Sequence, residues 1–96
     1  MSAIRVLVGS AGQPEKLGEV LDLYRELVFE TRKEKGCISY ELLQHCGNPG
    51  ELMLVEEWES QAHLDAHTQT EHFVRLVAAL DELENAAPAQ IYLKVL

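Results

Sequence analysis

Between Trp58 and Phe73 (WESQAHLDAHTQTEHF) the chain places its single tryptophan and three of its four histidines, His63, His67 and His72. Histidine is the side chain whose proton affinity lies nearest neutrality, so such a cluster suits proton removal from a weak acid or hydrogen bonding to a substrate oxygen. His63 and His67 are four apart and would share a helix face, with Glu71 further on, a spacing that can hold a metal. No HExxH accompanies them, and Thr68 to Thr70 reads as a helix interruption, so no metal site is expected. His67, with Leu64 and Ala66 as helical neighbours, is the candidate base or substrate partner. The competing reading is a histidine hydrogen-bonded across the core.

The neighbouring residues widen the candidate site. Glu56 shares a strand face with Trp58 and would be costly to bury without a partner, so it pairs with a histidine or arginine or reaches water. Trp58 either walls a pocket or packs in the core. Tyr40, on the preceding strand, offers a hydroxyl able to orient a substrate oxygen, with core packing as the alternative. His72 sits at a helix start, where it contacts either a substrate or the turn. His63 is placed at the rim, and Leu64 and Phe73 supply apolar lining. His45 is expected to be exposed beside a turn. Phe29 lies off its helix stripe, facing a partner or the cavity mouth.

These residues need a sheet and a helical layer to hold them. Residues 3–9 (AIRVLVG) read as a strand, and Gly9 to Pro14 as a turn. Leu17, Val20, Leu21, Tyr24, Leu27, Val28 and Thr31 recur at helical steps, from Pro14 to a stop at Gly36, giving a first helix over about 14–35. Cys37 to Cys46 reads as a second strand with Ile38, Tyr40 and Leu42 on one face. Gly47-Asn48-Pro49-Gly50 turns it into a third strand, Glu51 to Trp58, as an antiparallel hairpin. Ser60 caps one helical segment and Thr70 a second, carrying Phe73, Leu76, Val77 and Leu80. Asn85 to Pro88 breaks the pattern, and Gln90 to Leu96 closes with a strand. The order is β-α-β-β-α-β in one domain over residues 1–96. The third and last strands carry apolar residues on both faces, whereas two helices can cover only one face, so a second copy of the chain is expected on the other.

The composition bounds the function. A net charge of −8, from 16 acidic and 8 basic residues, argues against nucleic acid, and the central strands lack the aromatic and basic motif of an RNA-binding sheet. No apolar run is long enough to cross a membrane, and the first residues, MSAIRVLVGSAG, do not read as a leader, so the expected location is the cytoplasm. Cys37 and Cys46, on one extended strand, would lie too far apart to bridge, which agrees with a reducing compartment.

With element order and motif together, the chain resembles the antibiotic biosynthesis monooxygenase family, and within it the quinol monooxygenases. The match lies in Lys35-Gly36-Cys37 with Tyr40, Glu57-Trp58-Glu59-Ser60, Ala62-His63-Leu64, Ala66-His67, Gln69-Thr70 and His72. The resemblance implies an α+β, ferredoxin-like fold with an antiparallel sheet, dimerising as an α+β barrel. It implies oxidation of a quinol or related phenolic ring by molecular oxygen without flavin, haem or metal, with His67 as base, Tyr40 positioning the substrate and Trp58 as a pocket wall. A haem-degrading branch of the fold uses an asparagine on the first strand, and residues 3–9 contain none. An isomerase branch acting on a phosphorylated signal would want cationic ligands that this acidic chain does not gather. The alternative function is a non-catalytic dimeric module of the same fold that binds a small hydrophobic ligand.

Overall fold

The computed structural model describes residues 3–96; Met1 and Ser2, at the head of the stretch read for a leader, lie outside the described residues. Strand β1 (Ile4–Gly12) leads through a short 3-10 turn at Pro14–Lys16 into helix α1 (Leu17–Thr31). Strands β2 (Cys37–His45) and β3 (Asn48–Trp58) form a hairpin, followed by helices α2 (Gln61–His67) and α3 (Glu71–Asp81) and strands β4 (Glu84–Ala86) and β5 (Gln90–Leu93). All pairings are antiparallel, in the order β2-β3-β1-β4, with β5 also on β1. This is the ferredoxin-like α+β arrangement that the element order implied.

The period-two alternation of β1 and β3 decides which face is buried. Ile4, Val6 and Ser10 of β1, with Leu52, Leu54, Glu56 and Trp58 of β3, point to one side and are buried there. Val20, Tyr24 and Leu27 of α1 and Leu76 and Leu80 of α3 cover them, one helical face from each element. The opposite sheet face carries Leu43, Met53 and Tyr92, each more than a third exposed. Among the described residues no helix is long and apolar enough to cross a membrane.

Several expectations are corrected, beginning with β1, which runs on to Gly12 through the stretch expected to turn from Gly9. The first helix is α-helical only to Thr31, because residues 32–36 tighten into turns instead of extending it. The hairpin reverses at Cys46-Gly47, and Asn48-Pro49-Gly50 lie inside β3 where its register with β2 shifts. Gly50 is obligatory there, since a Cβ would stand 2.3 Å from the Gly12 carbonyl oxygen on β1. Ile38 does not share a face with Tyr40: a bulge between Cys37 and Ser39 inserts it as an extra residue, half exposed, and turns Cys37 inward with Tyr40. Finally, the breaker stretch at Asn85 contains a strand, because Glu84–Ala86 pair with Ser10–Gly12 and the Ala87 N–H donates to the Gly9 carbonyl. The closing strand then ends at Leu93. Both cysteines are free.

Candidate functional site

The site is assembled where three chain reversals meet. After α1, the Lys33 and Glu34 N–H groups donate to the Glu30 and Thr31 carbonyls, so the chain coils one tight turn further and throws Glu34 back over the helical layer. Gly36 ends it at a φ of +86°, a conformation glycine adopts without penalty. A Cβ at position 36 would stand 2.2 Å from Cγ of His63, so glycine is required by space as well. The Gly36 carbonyl accepts from Glu59 N–H at 2.9 Å, tying the turn to the end of β3.

Ser60 caps α2, accepting from His63 N–H, and Thr70 caps α3, accepting from Phe73 N–H, each cap stabilising its helix by about 1 kcal/mol. The Thr70 hydroxyl also donates to the His67 carbonyl at 2.8 Å. The break between the helices therefore fixes His67 at the end of one and His72 near the start of the next. The His67 ring is 1% exposed and packs on Trp58 (centroids 4.8 Å apart, planes at 36°), with Tyr40 and Phe73 edge-on at 5.5 and 4.9 Å.

Glu34 joins the two histidines. Its Oε2 lies 2.8 Å from Nδ1 of His67 and 2.6 Å from Nε2 of His72. A carboxylate oxygen only accepts, so this contact assigns the His67 proton to Nδ1 and leaves Nε2 with a lone pair. That Nε2 is buried and has no hydrogen-bond partner. Burial pushes the His67 pKa below its ordinary value, and the Glu34 hydrogen bond and charge only partly oppose this, so the ring is neutral at pH 7.

Glu56, 4% exposed, accepts from the Trp58 indole N–H at 2.9 Å. Burial raises its pKa to about 7 against the pull of the indole donor, with the Glu34 charge adding to the rise. Tyr40 stays protonated, pushed far up chiefly by burial and then by Glu56.

His67 and Glu56 line a partly open cavity of about 410 Å³ between sheet and helices, a size suited to a small organic ligand. Tyr40, Leu64 and Phe73 line it too. Of the residues singled out from sequence, Trp58, His63 and His72 do not. Trp58 is fully buried behind His67 and holds Glu56 in place rather than walling the cavity. His63 turns its Nδ1 to the Ser60 hydroxyl at 2.8 Å and covers Gly36. His72 stands behind Glu34, partly exposed. A wider and more open groove of about 670 Å³ runs beside Phe29 and Arg32 and contains none of the histidines. Phe29 itself is exposed, with the Lys33 ammonium over its ring.

Glu34, His67 and His72 offer ligand atoms within 4.8 Å of one another, which sequence spacing could not show because the contacts join residues 33 and 38 positions apart. A metal held there would take Nδ1 of His67, place the ring proton on Nε2 and convert the free lone pair into a donor. Metal binding and a basic Nε2 exclude each other.

The family defined by this fold and site is clear: residues 3–79 match the antibiotic biosynthesis monooxygenase model, and the chain belongs to that family. The Escherichia coli K12 protein named "Probable quinol monooxygenase YgiN" is 38% identical over 61 residues, covering 55% of this chain and 59% of that protein. The chain thus matches less than two thirds of that relative's length. Two crystal structures superpose over nearly all of it. A conserved protein from Methanosarcina mazei Go1 does so at a TM-score of 0.87 and 36% identity, covering 98% of this chain and 92% of that one. A structure described as an antibiotic biosynthesis monooxygenase gives 0.85 and 36%, with 97% of each chain covered.

Proposed function

We propose that this protein is a cofactor-independent monooxygenase that oxidises a quinol or related phenolic ring with molecular oxygen, residues 1–96 forming one such domain in the cytoplasm. The observation that carries the reading is the unpartnered, buried Nε2 of His67, a residue that lines the cavity and whose tautomer is held by Glu34. A buried acceptor without a donor is costly, and a substrate hydroxyl would satisfy it.

A phenol releases its proton near pH 10, and only the anion gives an electron readily to oxygen. His67 accepts the phenolic proton at Nε2, and the Glu34 carboxylate stabilises the imidazolium that forms. The ring anion reduces oxygen by one electron, the two radicals combine at a ring carbon, and the resulting peroxide loses water. For a quinol the balance is quinol plus O2 giving hydroxyquinone plus water: one oxygen atom enters the ring and the other leaves with two protons. Glu56, half protonated near neutrality, supplies a proton to the departing oxygen. Tyr40, Leu64 and Phe73 hold the ring in the cavity and confine the intermediates. Trp58 and His72 act through Glu56 and Glu34, and His63 keeps the Gly36 turn in place.

The apolar outer sheet face around Leu43, Met53 and Tyr92 supports a homodimer packed through the sheets.

The test is oxygen uptake by metal-stripped protein supplied with freshly reduced quinols, with product mass read in parallel. Uptake above autoxidation and a product carrying one added oxygen are expected, both lost in His67→Ala. No uptake, with a ligand that raises the melting temperature, would instead support a non-catalytic binding module.

A further inference from the structure

The cavity has a second polar end that the chemistry above does not use. Tyr24 and Glu84 line it. The Tyr24 hydroxyl donates to Glu84 Oε2 at 2.5 Å and lies 3.5 Å from the Ser10 hydroxyl. The other carboxylate oxygen, Oε1, is buried without a partner, in a residue only 7% exposed. Burying a carboxylate is expensive, and leaving half of its acceptors empty costs more. The same feature, a buried acceptor lacking a donor, marks His67 at the other end.

The seat of Glu84 is specific. It pairs with Gly12 at the end of β1, where a Cβ would come within 3.1 Å of the Glu84 Cβ, so a side chain at position 12 would push Glu84 by a few tenths of an ångström. The strand register fixes how far apart the two ends are. Glu56 pairs opposite Val6, and Ser10, beside Tyr24, lies four residues further along the same strand. Four residues of strand extend about 13 Å. Two hydrogen bonds of about 2.8 Å each leave the remaining span to the ligand itself.

We propose that Tyr24 and Glu84 form a recognition end that binds a second hydroxyl of the substrate, remote from the one His67 deprotonates. Glu84 Oε1 accepts from that hydroxyl, and Tyr24 fixes the carboxylate by occupying Oε2. The substrate is then an elongated diphenol with one hydroxyl at each end, and Glu84 selects it over a ring hydroxylated at one end only. The assignment of the reacting hydroxyl rests on the monooxygenase reading; the existence of the second end does not.

Three probes separate the cases: 2,6-dihydroxynaphthalene with hydroxyls at opposite ends, 1,3-dihydroxynaphthalene with both on one ring, and 2-naphthol with one. Anaerobic calorimetric titration of the full chain measures each. A hydrogen bond to a buried, otherwise unpartnered acceptor predicts that the 2,6-isomer binds about 10-fold to 100-fold more tightly than either control. In Glu84→Met, of similar volume and without the acceptor, the preference falls to within about threefold of unity. Glu84→Gln, which keeps a neutral acceptor oxygen and serves if the methionine variant does not fold, shows an intermediate preference. Equal affinities in the native protein, a preference that survives Glu84→Met, or no binding of any probe would overturn the proposal. Oxygen uptake on the same samples keeps the two readings apart. Preference without uptake removes the monooxygenase and retains the recognition end, whereas uptake without preference does the reverse.

Discussion

Two buried glutamates mark the two ends of one cavity, and their partners make them different. Glu56 is held by an indole, Glu84 by a phenol. Beside Glu56 stands an imidazole with a free lone pair, and the carboxyl itself titrates at about pH 7. Beside Glu84 stands Tyr24, whose pKa is driven far up by burial and by the Glu84 hydrogen bond, so its proton does not leave. The first end holds a carboxyl that titrates near neutral pH, whereas the Tyr24 hydroxyl at the second keeps its proton. On the proposed roles, the same residue type serves reaction or recognition according to whether its neighbour can change charge.

The sharpest break of this contrast is His67→Ala, expected to lower kcat/KM for quinol oxidation by about 100-fold to 10,000-fold, the usual worth of a positioned base. Retained activity would move the base elsewhere. Glu34→Gln should cost about 10-fold to 100-fold, in the range typical of partners that orient a reactive histidine. Because Glu34 raises the His67 pKa, its loss should also move the acid limb of the pH profile to lower pH, a shift that a merely destabilised protein would not show. Added zinc should inhibit the proposed oxidation by capturing His67 at Nδ1, while chelators leave it unaffected; activation by zinc would reverse the assignment of the free nitrogen.

Glu56 sharpens the comparison through both rate and stability. If its protonated form is required, kcat/KM should fall above about pH 7, and Glu56→Gln should flatten that limb. Its folded pKa of about 7 exceeds the ordinary 4.5, so the folded state holds the proton more tightly than the unfolded chain. Stability from this group is present below pH 4.5 and lost as pH rises to about 7, on the order of 3 kcal/mol. Glu56→Gln should therefore melt several degrees above the native protein at pH 8 and gain little at pH 4. An equal gain at both values would show that burial does not raise this carboxyl.

What the sequence revealed was what short-range chemistry dictates. Ser60, Thr70 and Gly36 act within one helical turn of their positions, so the ends of α2, α3 and the turn after α1 were legible. His67, Tyr40 and Glu56 were singled out because their types and strand or helix phase point inward, and all three line the cavity. Glu34 was missed because it sits in a basic run, Arg32-Lys33-Glu34-Lys35, whose charge masked it, and only the folded turn carries it to His67. Glu84 was missed because Glu84-Asn85-Ala86-Ala87-Pro88 reads as a helix exit, and three residues pairing with β1 leave no periodic signal. The Ile38 bulge was invisible because nothing in Cys37-Ile38-Ser39 breaks strand alternation locally.

One feature of β1 reaches beyond the single reaction. Its first half is paired by β5 and its last three residues by β4, so the strand beside the cavity is closed by two short segments rather than one long one. The proton-handling groups lie between residues 34 and 72, whereas the closing wall lies after residue 83. On the proposed roles, proton handling draws on residues 34–72, whereas recognition joins Tyr24 of α1 to Glu84 in the terminal stretch. Exchanging the terminal stretch would retarget the molecule to differently shaped rings while its acid–base machinery stayed intact, a modularity that a protein designer could use directly.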